Sequence, residues 1–212
     1  MNLLIFGGTG LVGSSLLDQL KLEHRVTIAV RDKSKINLKD VEIRQVDFED
    51  FDSFNIHKYD GIYCCLGTTI KTAGSKENFK RVDLDYVELC FKYSMACESN
   101  FFCVVSALGA SSKSKIFYNR VKGMMEDSLS GNQKSIIVRP SLLLGHRKEH
   151  RPLEKLSATV LTPFMKPLRA ILKKYAPIEA SEVAKSMIEL SMSGKTQSQI
   201  EYVIKRPSRP LA

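Results

Sequence analysis

The 212-residue chain is predicted to fold as a doubly wound α/β domain, a mostly parallel sheet of about seven strands with helices on both faces. Two observations predict this. Short, almost continuously apolar β-rich runs alternate with longer runs of helical periodicity, and the first strand leads straight into a glycine-rich turn that opens an amphipathic helix. Composition agrees: 43% hydrophobic and 26% charged residues describe an ordinary globular protein. The length suits one domain spanning 1–212, with a sizeable core and no room for a second full domain.

Strands are expected at residues 2–6, 26–30, 43–46, 61–66, 101–106, 135–139 and 201–204, each a mostly continuous apolar run of the kind that burial on both sheet faces requires. Between them, residues 11–21 place Val12, Leu16, Leu17 and Leu20 on one helical face. Residues 76–99 do the same with Phe79, Val82, Tyr86, Leu89 and Cys90. A further helical run opens at Tyr118, and a last helix after Ala180 buries Met187, Ile188 and Leu190. Residues 145–177 break the alternation with prolines, dense Lys and Arg and short apolar clusters, and are read as an irregular basic excursion over the sheet edge. Residues 205–212 read as a flexible tail.

Several classes are set aside by the same reading. The N-terminus is a buried strand rather than a signal sequence. No apolar run approaches the roughly 20 residues of a membrane span, and the stretch 160–172 is broken by Pro163 and Pro167. The five cysteines, an odd number set in apolar patterns, read as buried reduced thiols of a cytoplasmic protein. A redox pair at Cys64 and Cys65 is the sharper alternative; adjacent side chains on a strand point to opposite faces, which opposes it.

The net charge of +9 is uneven: residues 1–138 carry 18 Lys and Arg against 17 Asp and Glu, while 139–212 carry 14 against 6. Such asymmetry fits an anionic partner or a solvated basic face. In the excursion, Lys166, Arg169, Lys173 and Lys174 are interleaved with Phe164, Met165, Leu168, Ile171 and Leu172. A substrate lid is the leading reading, a solvated face the next, and a peripheral membrane or nucleic-acid surface the weakest. His146 to His150 matches an H-x-x-E-H zinc pattern, but three positive side chains and a following proline oppose a cation, so no metal is expected.

The glycine turn carries the first functional signal. Gly7, Gly8, Thr9, Gly10, Leu11, Val12 and Gly13 contain G-x-G-x-x-G after a strand and before a helix. There Gly8 permits the tight turn, Gly10 lets the backbone approach a pyrophosphate, and Gly13 lets the helix pack close, as in a Rossmann dinucleotide site. The residue ending the second strand selects the cofactor, because carboxylate there binds a ribose hydroxyl and arginine a 2′-phosphate. Arg31 comes first, so NADP is expected, with NAD the alternative because Asp32 follows. Asp47, after the third strand, is placed to reach the adenine amino group.

The second signal is chemical. Ser106 ends the fifth strand, and Tyr118 and Lys122 follow at helical i, i+4 spacing. That spacing puts phenol and ammonium on one face, where Lys122 would lower the tyrosine pKa and Ser106 would hydrogen-bond a substrate oxygen. With Cys64-Cys65-Leu66-Gly67-Thr68-Thr69, Arg81-Val82-Asp83-Leu84-Asp85-Tyr86-Val87 and Val105-Ser106-Ala107-Leu108-Gly109-Ala110, the chain resembles a short-chain dehydrogenase/reductase of the atypical or extended type. Within it the resemblance is to the small NADPH-binding, Tat-interacting-protein-like oxidoreductases. The resemblance implies cofactor contacts from Leu66, Gly67 and Thr68, a catalytic set of Ser106, Tyr118 and Lys122, and Arg139 beside the nicotinamide. It departs at Asp83, where many members carry asparagine.

The expected function is NADP-dependent oxidation or reduction of a small carbonyl or alcohol substrate, with Tyr118 as acid/base. The rival is a non-catalytic NADP(H)-loaded sensor or scaffold that gates a protein partner.

Overall fold

The computed structural model describes residues 1–38, 41–132, 134–141, 143–144, 178–193 and 199–203. The zinc-like pattern, the basic excursion and the tail therefore lie outside the described residues. Nine strands are described: β1 (Asn2–Phe6), β2 (Arg25–Val30), β3 (Glu42–Gln45), β4 (Gly61–Cys64), β5 (Phe101–Val105), β6 (Ser135–Pro140), β7 (Leu143–Leu144), β8 (Ile178–Glu179) and β9 (Gln199–Val203). Seven form one parallel sheet in the order β3-β2-β1-β4-β5-β6-β9. The order reverses between β1 and β4, the switch point at which doubly wound sheets bind ligands. β7 and β8 make a separate parallel pair.

Period-two alternation divides the core between the two faces. Leu4 and Phe6 of β1, Ile62 and Cys64 of β4, and Phe102 and Val104 of β5 share one cluster with Val87 and Cys90 of α4 (Tyr86–Ala96) and Val121 and Met125 of α5 (Phe117–Leu129). Leu3, Ile5, Tyr63 and Cys103 face the other way, against Leu16 and Leu20 of α1 (Leu11–Leu20) and Val183 and Met187 of α6 (Ala180–Met192). Cys64 and Cys65 thus fall on opposite faces, and all five cysteines are free. Burial pushes the Cys65, Cys90 and Cys103 thiols well above their ordinary range, which makes them inert.

The strands lie where the apolar runs place them, give or take two residues; β4 stops at Cys64 because the chain turns off the sheet at Leu66. The single helix expected over 76–99 is corrected. A short helix α2 (Ile70–Ala73), capped by Thr69, ends at Gly74, and Ser75 then caps α3 (Lys76–Lys80) by accepting from the Asn78 N–H. Residues Arg81–Asp85 form a π turn before α4. The wider turn shifts the buried face: Asp83, Leu84, Val87 and Cys90 are inside, while Val82, Tyr86 and Leu89 are only half-buried.

Candidate functional site

The glycine turn, Arg31, the segment 66–69 and Ser106 all leave the carboxyl ends of β1, β2, β4 and β5, so the sheet gathers them along one edge. At Gly7 the backbone has φ +78°, and a Cβ would stand 2.7 Å from the Cys65 carbonyl carbon; only glycine fits. The Gly10 N–H donates to the Gly7 carbonyl at 3.0 Å, which closes the turn. At Gly13 a Cβ would meet the Gly7 oxygen at 2.1 Å, so α1 abuts the turn directly. Gly10 caps α1 without a side-chain hydrogen bond, and the first turn holds no acidic residue. Its N-terminal N–H groups are left to an outside acceptor, and this cradle fits a dinucleotide pyrophosphate.

At the carboxyl ends of β2 and β3, a cavity of about 240 Å³ is lined by Arg31, Gln45, Val46, Asp47, Phe48, Glu49 and Tyr86. Its floor is a Phe48–Tyr86 stack, with ring centroids 4.4 Å apart and planes 16° apart. Tyr86 donates to Glu49, which also lies 3.4 Å from Arg81. Asp47 accepts from the Glu49 N–H at 2.9 Å. Asp32 does not line this cavity. Its carboxylate accepts from the Ser34 N–H and hydroxyl and pairs with Lys35 at 2.9 Å, contacts that hold its pKa down to about 2.

Further along the edge lies a buried polar knot. Lys122, on α5, reaches Asp83 of the π turn with its ammonium 2.8 Å from Oδ1, both side chains almost wholly out of solvent. It also donates to the Val105 carbonyl at 3.5 Å. Asp83 Oδ2 accepts from the Thr68 N–H at 2.9 Å, and the Gly67 backbone runs directly over the pair. Burial works against the Lys122 charge, but Asp83 together with Tyr118 and Cys64 outweighs it, and the Lys122 pKa rises. One helical turn earlier, Tyr118 packs its ring on Phe79, with centroids 5.5 Å apart. Burial raises the Tyr118 pKa; Lys122 pulls it back and Asp83 pushes it up again. The net direction is upward, the reverse of what Lys122 alone would give.

Ser106 has a partner that its sequence context does not reveal. Its hydroxyl donates to the Glu126 carboxylate, and Glu126 also receives Arg139, from Nε at 2.8 Å and from Nη2. This ties β5, α5 and β6 together. Glu126 follows Tyr118 at i+8 and Lys122 at i+4 on the same helical face, and that spacing was the one signal that could have found it. The structure therefore brings together Tyr118, Lys122, Asp83 and segment 66–69, and sets Ser106 with Glu126 and Arg139.

A family model described as NAD(P)H-binding matches residues 7–143. The chain belongs to that NAD(P)H-binding family, as an atypical short-chain dehydrogenase/reductase-like member. It is 30% identical over 207 residues to the mitochondrial protein FMP52 of Candida albicans, covering 92% of this chain and 89% of that one. It is 34% identical over 164 residues to the protein HTATIP2 of Rattus norvegicus, covering 72% and 67%. The fold is shared with the oxidoreductase ylbE of Lactococcus lactis, with a TM-score of 0.69 at 19% identity over 95% of this chain and 90% of that one.

The FMP52 name overturns the cytoplasmic expectation. Buried thiols raised by desolvation are inert in any compartment, and a cellular address is read by receptors rather than set by a fold. Among the described residues no helix is long and apolar enough to cross a membrane, and no cluster of His, Cys, Asp or Glu could hold a metal.

Proposed function

We propose that this protein is an NADP-dependent oxidoreductase acting on a small carbonyl or alcohol substrate. The observation that carries the reading is the buried Lys122–Asp83 pair beneath Gly67 and one helical turn from Tyr118, on the same sheet edge as the glycine cradle. A buried ion pair is an expensive way to stabilise a fold; beside a tyrosine in a dinucleotide-binding sheet it makes sense as proton-handling machinery.

In this reading Gly7, Gly8, Thr9, Gly10, Leu11, Val12 and Gly13 hold the pyrophosphate, and Asp47 meets the adenine. Arg31 meets the 2′-phosphate; the commitment of Asp32 to Ser34 and Lys35 supports NADP over NAD. Leu66, Gly67, Thr68 and Arg139 line the nicotinamide end. When bound, the reduced cofactor supplies the hydride. Tyr118 donates a proton to the substrate oxygen, Lys122 tunes and orients it, and Ser106 orients the carbonyl once its hydroxyl turns from Glu126.

Steady-state assays with NADPH and a panel of small aldehydes and ketones test this. Tyr118→Phe is expected to abolish turnover and leave NADPH affinity within about twofold; turnover that survives the substitution refutes the assignment.

One observation favours a second reading, a cofactor-loaded sensor that gates a protein partner: the Ser106 hydroxyl is engaged by Glu126. Partner capture that depends on added NADPH, with no turnover of any carbonyl, would decide for the sensor.

A further inference from the structure

The π turn aims Asp83 at Lys122, and the result is a nearly neutral unit where a lone ammonium is expected from the sequence. Among the described residues, the charged and titratable groups around Tyr118 are few. Lys122 approaches from its own helix and Asp83 from the π turn; Phe79 packs on the ring from α3. Glu126, on the same face as Lys122, is taken by Arg139 and Ser106. Among the described residues Asp83 is thus the group that offsets the ammonium, and its other oxygen is fixed by the Thr68 N–H, so it cannot swing away without releasing the segment at the cofactor edge.

We propose that Asp83 is a positioning residue that sets the pH window of the chemistry: by offsetting the Lys122 charge, it keeps Tyr118 a proton donor across neutral pH. This rests on the reductase reading. Carbonyl reduction then runs with Tyr118 already in its working form. The hydride arrives at the carbonyl carbon from a reduced nicotinamide, the carbon–oxygen π pair moves to oxygen, and the Tyr118 O–H bond breaks to protonate that oxygen. Solvent returns a proton to the phenolate. The reverse reaction, which needs the phenolate as base, is confined to alkaline pH.

Titrating the cofactor-free protein tests this without a substrate. The near-ultraviolet absorbance of tyrosinate is followed with pH, and subtracting the matching Tyr118→Phe protein isolates this tyrosine from the other six of the seven. Asp83→Asn keeps an acceptor for the Thr68 N–H and removes the charge. The Tyr118 midpoint should then fall by at least about one pH unit, tenfold in the ionisation constant; a midpoint that stays or rises overturns the proposal.

Asp83→Asn alone strands a buried ammonium, which endangers folding, so Asp83→Asn with Lys122→Met is made as well. It removes both charges together and should leave the midpoint within about one pH unit of the unmodified protein; a larger rise would mean that Lys122 acts unopposed, and overturns the proposal. Failure of the reductase reading shows separately, as NADPH binding without turnover of any carbonyl.

Discussion

Placing one methyl group on Gly13 tests the cradle directly. A Cβ there would stand 2.1 Å from the Gly7 oxygen, 2.8 Å from its carbonyl carbon and 2.9 Å from the Gly8 Cα. A carbon–oxygen contact ordinarily stands at about 3.3 Å, so α1 must withdraw by about 1 Å. The opposing atoms are all backbone and no side chain can step aside. Overpacking of this kind costs about 1–3 kcal/mol, or roughly 2–4 °C of Tm per kcal/mol in a chain of this size. Withdrawal also carries the first N–H groups of α1 away from the pyrophosphate. One lost hydrogen bond to a charged group, at about 1.5–3 kcal/mol, weakens NADPH binding roughly tenfold to a hundredfold.

Calorimetric titration with NADPH and thermal unfolding measure the two effects on Gly13→Ala. Gly61→Ala is the control: its Cβ would meet the Phe101 ring at 2.1 Å, at the opposite end of β4. It should lose stability and keep its affinity. If Gly13→Ala melts earlier yet binds NADPH within about threefold of the unmodified protein, the turn does not hold the pyrophosphate and the cradle argument fails.

Three further outcomes are expected. Arg31→Ala should weaken NADPH binding about tenfold or more, the loss of a charged hydrogen bond to phosphate, and leave NADH binding nearly unchanged; equal losses for both cofactors in calorimetry would remove Arg31 from the 2′-phosphate. Glu126→Gln, which takes away the carboxylate that receives Arg139 and Ser106 nearly out of solvent, should cost on the order of 3 kcal/mol in urea unfolding; a loss under about 0.5 kcal/mol would show the pair to be unimportant. Lys122 and Tyr118 both hold their protons more tightly folded than unfolded. Their contribution is therefore complete below about pH 10 and is lost as pH rises past it, so the urea midpoint should fall as pH is raised above about 10, and fall less in Lys122→Met. A midpoint that rises above that pH contradicts the two upward shifts, which come from burial at Tyr118 and from the Asp83 carboxylate and its neighbours at Lys122.

The sheet and the glycine turn were legible because their signals are local. A short apolar run with no polar face must be covered on both sides, and Gly8, Gly10 and Gly13 sit where strand hands over to helix. Tyr118 and Lys122 were legible as a helical pair for the same reason. How the site residues pair with one another was not. Asp83 lies in what reads as a regular helix, where a carboxylate is expected on the solvent side, and only the π turn carries it inside. Glu126 was hidden likewise: its ties to Ser106, 20 residues upstream, and to Arg139 on the next strand arise from packing of α5 on the sheet. Asp32 left the cofactor ambiguous because sequence order alone cannot say which way a carboxylate turns.

The π turn is an inserted residue that the fold does not let go. Each residue of a helix advances the chain by about 100°. Removing one from Arg81–Asp85 would restore regular hydrogen bonding and force a choice: Phe79 and Asp83 could keep their facing, or Val87 and Cys90 could keep theirs, but not both sets. A straight helix here would therefore be cheaper locally and would either strip Lys122 of its counterion or unseat α4 from the sheet. Any relative that deletes this residue should also have lost the carboxylate or the lysine, which turns an irregularity of the backbone into a mark by which this kind of site can be traced through other sequences.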